Sequence, residues 1–226
     1  MHQKINKALI FLNGDEPDLA YTKKYADKNT LIIGCDGGTG SIYKIGLTPQ
    51  VVLGDFDSVT SLPKEIKNLP KRYYGKETII NDTVYIKYPG DKDFLDVEAA
   101  IDYALRKQLR EIILVNTHGD ELDHVVGVLA LLSKRKYRSA DIKLIRPLLK
   151  AYIIRGKAEI KGKIGDKISL IPLYGPVKVK NSSGLKYDPA QYKMSLQQNL
   201  GISNELINKK AALELSKGCF LVIQYQ

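Results

Sequence analysis

Cysteine is scarce in this chain. Cys35 and Cys219 are the only two among 226 residues, and their wide separation excludes a disulfide framework. A reducing compartment, most simply the cytoplasm, is the expected location. No two Cys or His residues have zinc-ligand spacing. Gly-Lys-Ser/Thr occurs nowhere, which excludes a P-loop, and without Gly-x-Ser-x-Gly there is no hydrolase elbow. No apolar run approaches the roughly 20 residues that cross a bilayer. The opening Met1–Lys7 leads into Ala8–Leu12, too brief for the apolar region of a signal peptide and lacking a small-residue cleavage site. Neither secretion nor a membrane partner is expected.

What is present suits a globular protein. Hydrophobic residues make up 44% and charged residues 27%, enough for a core in one large domain or two smaller ones. The net charge of +10 raises the expectation of nucleic acid or of an anionic small substrate. The basic residues are mostly dispersed, however. The one dense cluster, Lys134-Arg135-Lys136-Tyr137-Arg138, falls at an expected helix end, where cations suit the macrodipole. With no aromatic nucleic-acid signature and no basic arm, the small anionic substrate is favoured and no nucleic-acid partner is expected.

Short apolar runs alternate with helical stretches through the first two-thirds, the pattern of a parallel sheet. Strands are predicted at Ala8–Leu12, Leu31–Gly34, Val51–Leu53, Ile112–Val115 and Ile142–Ile145, with one or two more within Arg72–Pro89. Helices are predicted at Asp93–Lys107, whose Val97, Ala100, Ile101, Ala104 and Leu105 share a face, and at Asp123–Ser133. After about residue 150 the rhythm changes. Ala158–Ile164, Lys167–Ile171, Val177–Lys180 and Cys219–Gln224, separated by Gly, Pro, Asn and Asp, read as antiparallel strands of a second, all-β domain. The expected domains are residues 1–150 and 151–226.

Acidic residues recur just past the strands. Val51–Leu53 is followed by Gly54-Asp55-Phe56-Asp57-Ser58. A backbone still extended there would point Asp55 and Asp57 to one side, and such a pair suits Mg²⁺, which takes one or two carboxylates plus substrate phosphates. An Asx-type turn is the plainer alternative. Leu31–Gly34 is followed by Cys35-Asp36-Gly37-Gly38-Thr39-Gly40, whose glycines serve either a tight turn or close backbone approach to a phosphate. Asp91-Lys92-Asp93-Phe94-Leu95-Asp96 opens a helix, where Asp93 and Asp96 suit an N-cap with an acid at N3. Ile112–Val115 is followed by Asn116-Thr117-His118-Gly119-Asp120-Glu121-Leu122-Asp123-His124, in which Asp123 suits a cap and either histidine a structural hydrogen bond or a base. Cys35 has no nearby His partner and is not expected to be a nucleophile. In a parallel sheet these ends open on one edge, so a single crevice can gather the carboxylates. A crevice that acidic in so basic a protein implies a bound cation.

In order and spacing, Cys-Asp-Gly-Gly (35–38), Gly-Asp-Phe-Asp-Ser (54–58), Asp-Lys-Asp-x-x-Asp (91–96) and Gly-x-x-Leu-Asp-His (119–124) resemble the motifs of the thiamine pyrophosphokinase family. Further on, Gly165–Leu173, Gly184-Leu185-Lys186-Tyr187 and Gly201-Ile202-Ser203-Asn204-Glu205 are similar to that family's second-domain signatures. The resemblance implies an α/β fold: an N-terminal parallel-sheet, Rossmann-like domain followed by a C-terminal all-β sandwich, assembled as a homodimer. It implies Mg²⁺-dependent transfer of pyrophosphate from ATP to the hydroxyl of thiamine, giving thiamine diphosphate and AMP. Asp36, Asp55, Asp57, Asp93, Asp96 and Asp123 would line the Mg-ATP cleft beside Gly37 and Gly38. Asp55, Asp57 and Asp96 would hold the metal, and one of Asp93, Asp96 and Asp123 would take the hydroxyl proton. Ser203 and Asn204 would hold the thiamine pyrimidine near Tyr187, in a pocket shared across the dimer. The chain departs from the family at Gly40 and Val128, often Asn, at Leu95, often Thr, and at Glu121, often Arg. Two other readings keep the same residues: pyrophosphoryl transfer to another alcohol such as a hydroxymethylpterin, and a non-catalytic nucleotide or thiamine-diphosphate sensor.

Overall fold

The computed structural model describes residues 5–14, 18–59, 61–117, 122–198 and 200–225. The chain divides into two compact units. One comprises Met1–Val128 and Ser139–Ile142, the other Leu129–Arg138 and Lys143–Gln226. Both cysteines are free and buried. Among the described residues no helix is long and apolar enough to cross a membrane.

In chain order the elements of the first unit begin with β1 (Lys7–Phe11), α1 (Leu19–Lys23), β2 (Thr30–Cys35), α2 (Gly38–Lys44) and β3 (Val51–Gly54). They continue with α3 (Lys64–Lys67), β4 (Thr78–Ile80), β5 (Thr83–Lys87), α4 (Asp96–Arg106), β6 (Glu111–Val115) and the start of α5 (Leu122–Leu132). The strands stand in the order β6-β1-β2-β3-β5-β4. All neighbours are parallel except β4, which pairs antiparallel with β5. Strands of a parallel sheet are covered on both faces and so read as unbroken apolar runs. Ala8–Phe11, Ile112–Val115 and all of β2 and β3 are accordingly buried. Arg72–Pro89 holds two strands, as allowed for.

Helix α4 buries Val97, Ala100, Ile101 and Ala104, the face its periodicity marks. Its start differs from expectation. The helix begins at Asp96 behind Leu95, which makes no side-chain cap bond, so Asp93 is not the N-cap and Asp96 lies in the first turn rather than at N3. In α5, Val126 is exposed.

Glycines at the start of α2 differ in what they permit. A Cβ on Gly38 would run into the Phe11 carbonyl, whereas one on Gly40 meets nothing within 4 Å. Gly40→Ala is therefore expected to stabilise the protein by about 0.5–1 kcal/mol through helix propensity and a less flexible unfolded chain. A melting temperature raised by about 1–4 °C would show it.

The second unit is antiparallel. It takes in Lys143–Arg146 of β7 (Asp141–Arg146), then β8 (Leu149–Ile154), β9 (Lys157–Lys161), β10 (Lys167–Ser183), β11 (Asn204–Glu205) and β12 (Lys210–Tyr225). The long β12 pairs with β10 along its length, with β9 through Lys210–Glu214 and with β8 through Phe220–Tyr225. One apolar core, including Ile160, Ile168, Leu170, Leu206, Phe220 and Val222, lies within this unit. Two strands expected at Lys167–Ile171 and Val177–Lys180 are a single strand. Left-handed Tyr174 (φ 56°) and Gly175 (φ 110°) accompany a register shift between Leu173 and Lys178, a bulge rather than a reversal.

Candidate active site

Strand order fixes where a site can form. From β1 the chain runs outward through β2, β3 and β5, then returns so that β6 lies on the other side of β1. The crevice at such a reversal, beyond the strands' carboxyl ends, is where open α/β sheets bind ligands. Just past the ends of β2, β3 and β6 stand left-handed residues: Asp36 (φ 43°), Phe56 (φ 70°) and Asn116 (φ 56°). Such a conformation costs on the order of 1–3 kcal/mol, more unusual still for a bulky residue such as Phe. Cross-links hold these ends in place. Asp36 N–H donates to the Leu53 carbonyl at 3.1 Å, Phe56 N–H to Asp36 Oδ1 at 2.9 Å, and Asn116 Nδ2 to Ser41 Oγ at 2.9 Å.

A cavity of about 580 Å³ opens at this edge, and Asp36, Asp55, Asp57 and Asp96 line it. The backbone is not extended through Asp55–Asp57, contrary to the alternation expected, because Phe56 is left-handed. Instead Asp57 N–H donates to Asp55 Oδ1 at 3.1 Å, an Asx-type turn, and both side chains still reach the cavity. The plain turn and the acidic site are thus the same structure. Ser58 Oγ accepts the Gly37 N–H at 3.0 Å, tying this turn to the end of β2. Gly54 (φ 143°) packs on Asp36 so closely that a Cβ would overlap its carboxylate.

Charge crowding perturbs the buried carboxyl. Asp36 is 9% exposed, and burial, then the Asp96 charge, push its pKa up to about 7 against the stabilising Phe56 N–H. A hydrogen bond with Asp96 and the charge of Asp55 raise it further. Burial, assisted by Asp96 and Asp36, pushes the Cys35 thiol well above its ordinary value, so it is not a thiolate nucleophile at neutral pH. The folded state therefore holds a proton on Asp36 between the ordinary carboxylate value near 4 and about 7. Removing that proton strands a buried charge. Metal-free stability is expected to fall as pH rises through that window, and Asp36→Asn to flatten the slope, as read from thermal unfolding in chelator at pH 4.5 to 7.5.

Other expected site residues lie elsewhere. Asp93 and Asp123 are exposed and, unlike His124, are not among the residues lining the cavity. Asp123 Oδ1 accepts the N–H of His124 at 3.0 Å. Gly37 gives its N–H to Ser58, and Gly38 serves close packing against β1. His118, Gly119, Asp120 and Glu121 lie outside the described residues. In the second unit Tyr187 is 55% exposed and Ser203 is left-handed (φ 61°). Asn204 is buried, its Oδ1 accepting from Tyr187 N–H at 3.0 Å and its Nδ2 donating to the Tyr187 carbonyl at 2.7 Å.

Several cavity residues carry no acidic group. Leu12, Asn13 and Gly14 line it from the end of β1, and Asn116 and Thr117 from the end of β6. The Asn-Gly dipeptide following an apolar run was the available signal for the first group. Leu95, Val125 and Val128 form an apolar wall. Two of them stand where the resembling family often has Thr and Asn.

The four aspartates offer carboxylate oxygens, which suit a hard cation such as Mg²⁺. Among the described residues no three donors are close enough to make a metal cage alone. Mg²⁺ does not require one, since phosphates and water complete its shell.

A mixed α/β, sheet-rich fold with a carboxylate-lined cleft at a strand-order reversal defines the class. The profile of "Thiamin pyrophosphokinase, catalytic domain" matches residues 22–144, and that of "Thiamin pyrophosphokinase, vitamin B1 binding domain" matches residues 153–220. A curated relative, thiamine pyrophosphokinase of Bacillus subtilis, is 30% identical over 210 residues, covering 92% of each chain. The crystal structure of the thiamine pyrophosphokinase from Bacillus subtilis superposes with a TM-score of 0.79 at 28% identity, covering 98% of this chain and 99% of that one. That of Geobacillus thermodenitrificans gives 0.74 at 26% identity, covering 97% of each. The chain belongs to the thiamine pyrophosphokinase family and is an enzyme of that kind.

Proposed function

We propose that the chain transfers pyrophosphate from ATP to the hydroxyl of thiamine. The observation that supports this best is the convergence of Asp36, Asp55, Asp57 and Asp96 on one cavity in a member of this family. Asp55, Asp57 and Asp96 would hold Mg²⁺, which when bound neutralises charge on the phosphate oxygens. The thiamine hydroxyl oxygen bonds to the β-phosphorus, the bond between that phosphorus and the α–β bridging oxygen breaks, and AMP leaves with that oxygen. A carboxylate takes the hydroxyl proton. Of Asp93, Asp96 and Asp123, Asp96 is the one lining the cavity. The apolar wall of Leu95, Val125 and Val128 offers a seat for the adenine, and unneutralised carboxylate charge complements the cationic thiazolium.

The division of labour proposed is Mg-ATP on residues 1–150, Rossmann-like, and thiamine on residues 151–226, a β-sandwich. Tyr187, Ser203 and Asn204 belong to the thiamine side. A cytoplasmic homodimer completes the reading. Purified protein with ATP and Mg²⁺ is expected to release AMP when thiamine is added. AMP release with a hydroxymethylpterin alone would change the acceptor. Thermal stabilisation by ATP without AMP would make the protein a sensor.

A further inference from the structure

Lys92 brings a positive charge to the back of the carboxylate cluster. Its side chain is only 8% exposed, and Nζ lies 3.1 Å from Asp96 Oδ1. That oxygen is buried and makes no hydrogen bond, so the ammonium is its compensation. The ring of Phe94 lies beneath the ammonium, 6.0 Å away at the centroid. An exposed pair at this i,i+4 spacing would be worth a few tenths of a kcal/mol. A desolvated one is different, because either charge left alone in a low-dielectric site is costly. Asp96 in turn shares a hydrogen bond with buried Asp36. Asp36 and Asp96 at the cavity wall and Lys92 behind them thus form one chain of contacts.

We propose that Lys92 is a positioning residue that stands in for the metal. It neutralises the Asp36–Asp96 pair in the metal-free protein, holds one Asp96 oxygen back from the cavity, and opposes a lone incoming Mg²⁺. A cluster of acidic side chains without a counter-ion would attract a divalent cation by itself. With Lys92 in place the charge deficit is smaller, and the ion is held firmly only when it arrives with nucleotide phosphates. This rests on the Mg-dependent reading above.

The test compares Lys92→Met with the unaltered protein by calorimetric titration with Mg²⁺ alone and by thermal unfolding with and without Mg²⁺. K92M is expected to melt roughly 5 °C lower in chelator, to recover most of that loss in Mg²⁺, and to bind nucleotide-free Mg²⁺ about tenfold tighter. Lys92→Arg, keeping the charge, is expected to respond to Mg²⁺ as the unaltered protein does. The double variant K92M/D96N, which removes both charges, is expected to regain the metal-free melting temperature and lose the Mg²⁺ response. An equal loss of stability with and without Mg²⁺, together with unchanged Mg²⁺ affinity, would make Lys92 a packing residue and overturn the proposal. Failure of K92M/D96N to fold overturns it as well, and that arm stands even if K92M alone does not fold. None of these readouts needs turnover, so absence of AMP formation by the unaltered protein would count against the proposed reaction separately.

Discussion

Asp57→Asn is expected to lower AMP formation on the order of 10³-fold while moving the melting temperature by less than about 2 °C. The first figure follows from removing a charge that acts on the transferring phosphates, in a reaction whose catalysis is mostly positioning and charge stabilisation. The second follows from location. Asp57 is exposed and takes part in the turn through its backbone N–H, which bonds Asp55 Oδ1, so Asn preserves the turn and changes only the charge. Exposed substitutions away from special contacts usually shift stability by less than about 0.5 kcal/mol. Initial rates of AMP release alongside circular dichroism melting separate the two effects. Unchanged turnover would remove Asp57 from the proposed metal site.

The largest stability effect is expected at Gly54, where Gly54→Ala should cost about 3–5 kcal/mol, or roughly 10 °C in melting temperature. Two separate penalties act there. At φ 143° the backbone lies where residues with a side chain are strained, and the new methyl would overlap the Asp36 carboxylate. Asp36 cannot simply retreat, because its Oδ1 holds the N–H of left-handed Phe56 and that bond shapes the Asp55–Asp57 turn. Combining G54A with Asp36→Ala removes the overlap and leaves the backbone strain, so partial recovery of stability is expected from the double variant. Loss of less than about 1 kcal/mol in G54A would show that the β3 end is not locked in this way.

How far these features could be read beforehand depends on the kind of signal each leaves. The parallel strands were legible because burial on both faces makes Val51–Leu53 or Ile112–Val115 unbroken apolar runs. Strand Leu149–Ile154 was missed. Its burial alternates irregularly, and Lys150 interrupts the run. The bulge at Tyr174-Gly175-Pro176 carries the residues of a turn, and composition alone does not distinguish a bend from a reversal. In the site, the acidic residues at strand ends were found by recurrence, and Asp36, Asp55, Asp57 and Asp96 do meet at one cavity. Their spacing does not mark where the helix begins, however: α4 starts at Asp96, which leaves Asp93 in the preceding loop, and of the two only Asp96 lines the cavity. Asn116 has no charge to flag it, and its left-handed backbone leaves no mark in composition. Lys92 was visible as a motif letter. Its near-complete burial was not, because a lysine between aspartates reads as a solvated loop charge.

The most direct test of the proposed reaction uses ATP labelled at the β-phosphate, incubated with the purified protein, Mg²⁺ and thiamine. The label is predicted to appear in thiamine diphosphate, with one unlabelled AMP formed for each. Formation of ADP with label absent from the thiamine product, or no thiamine diphosphate at all, would contradict pyrophosphoryl transfer at this carboxylate cleft.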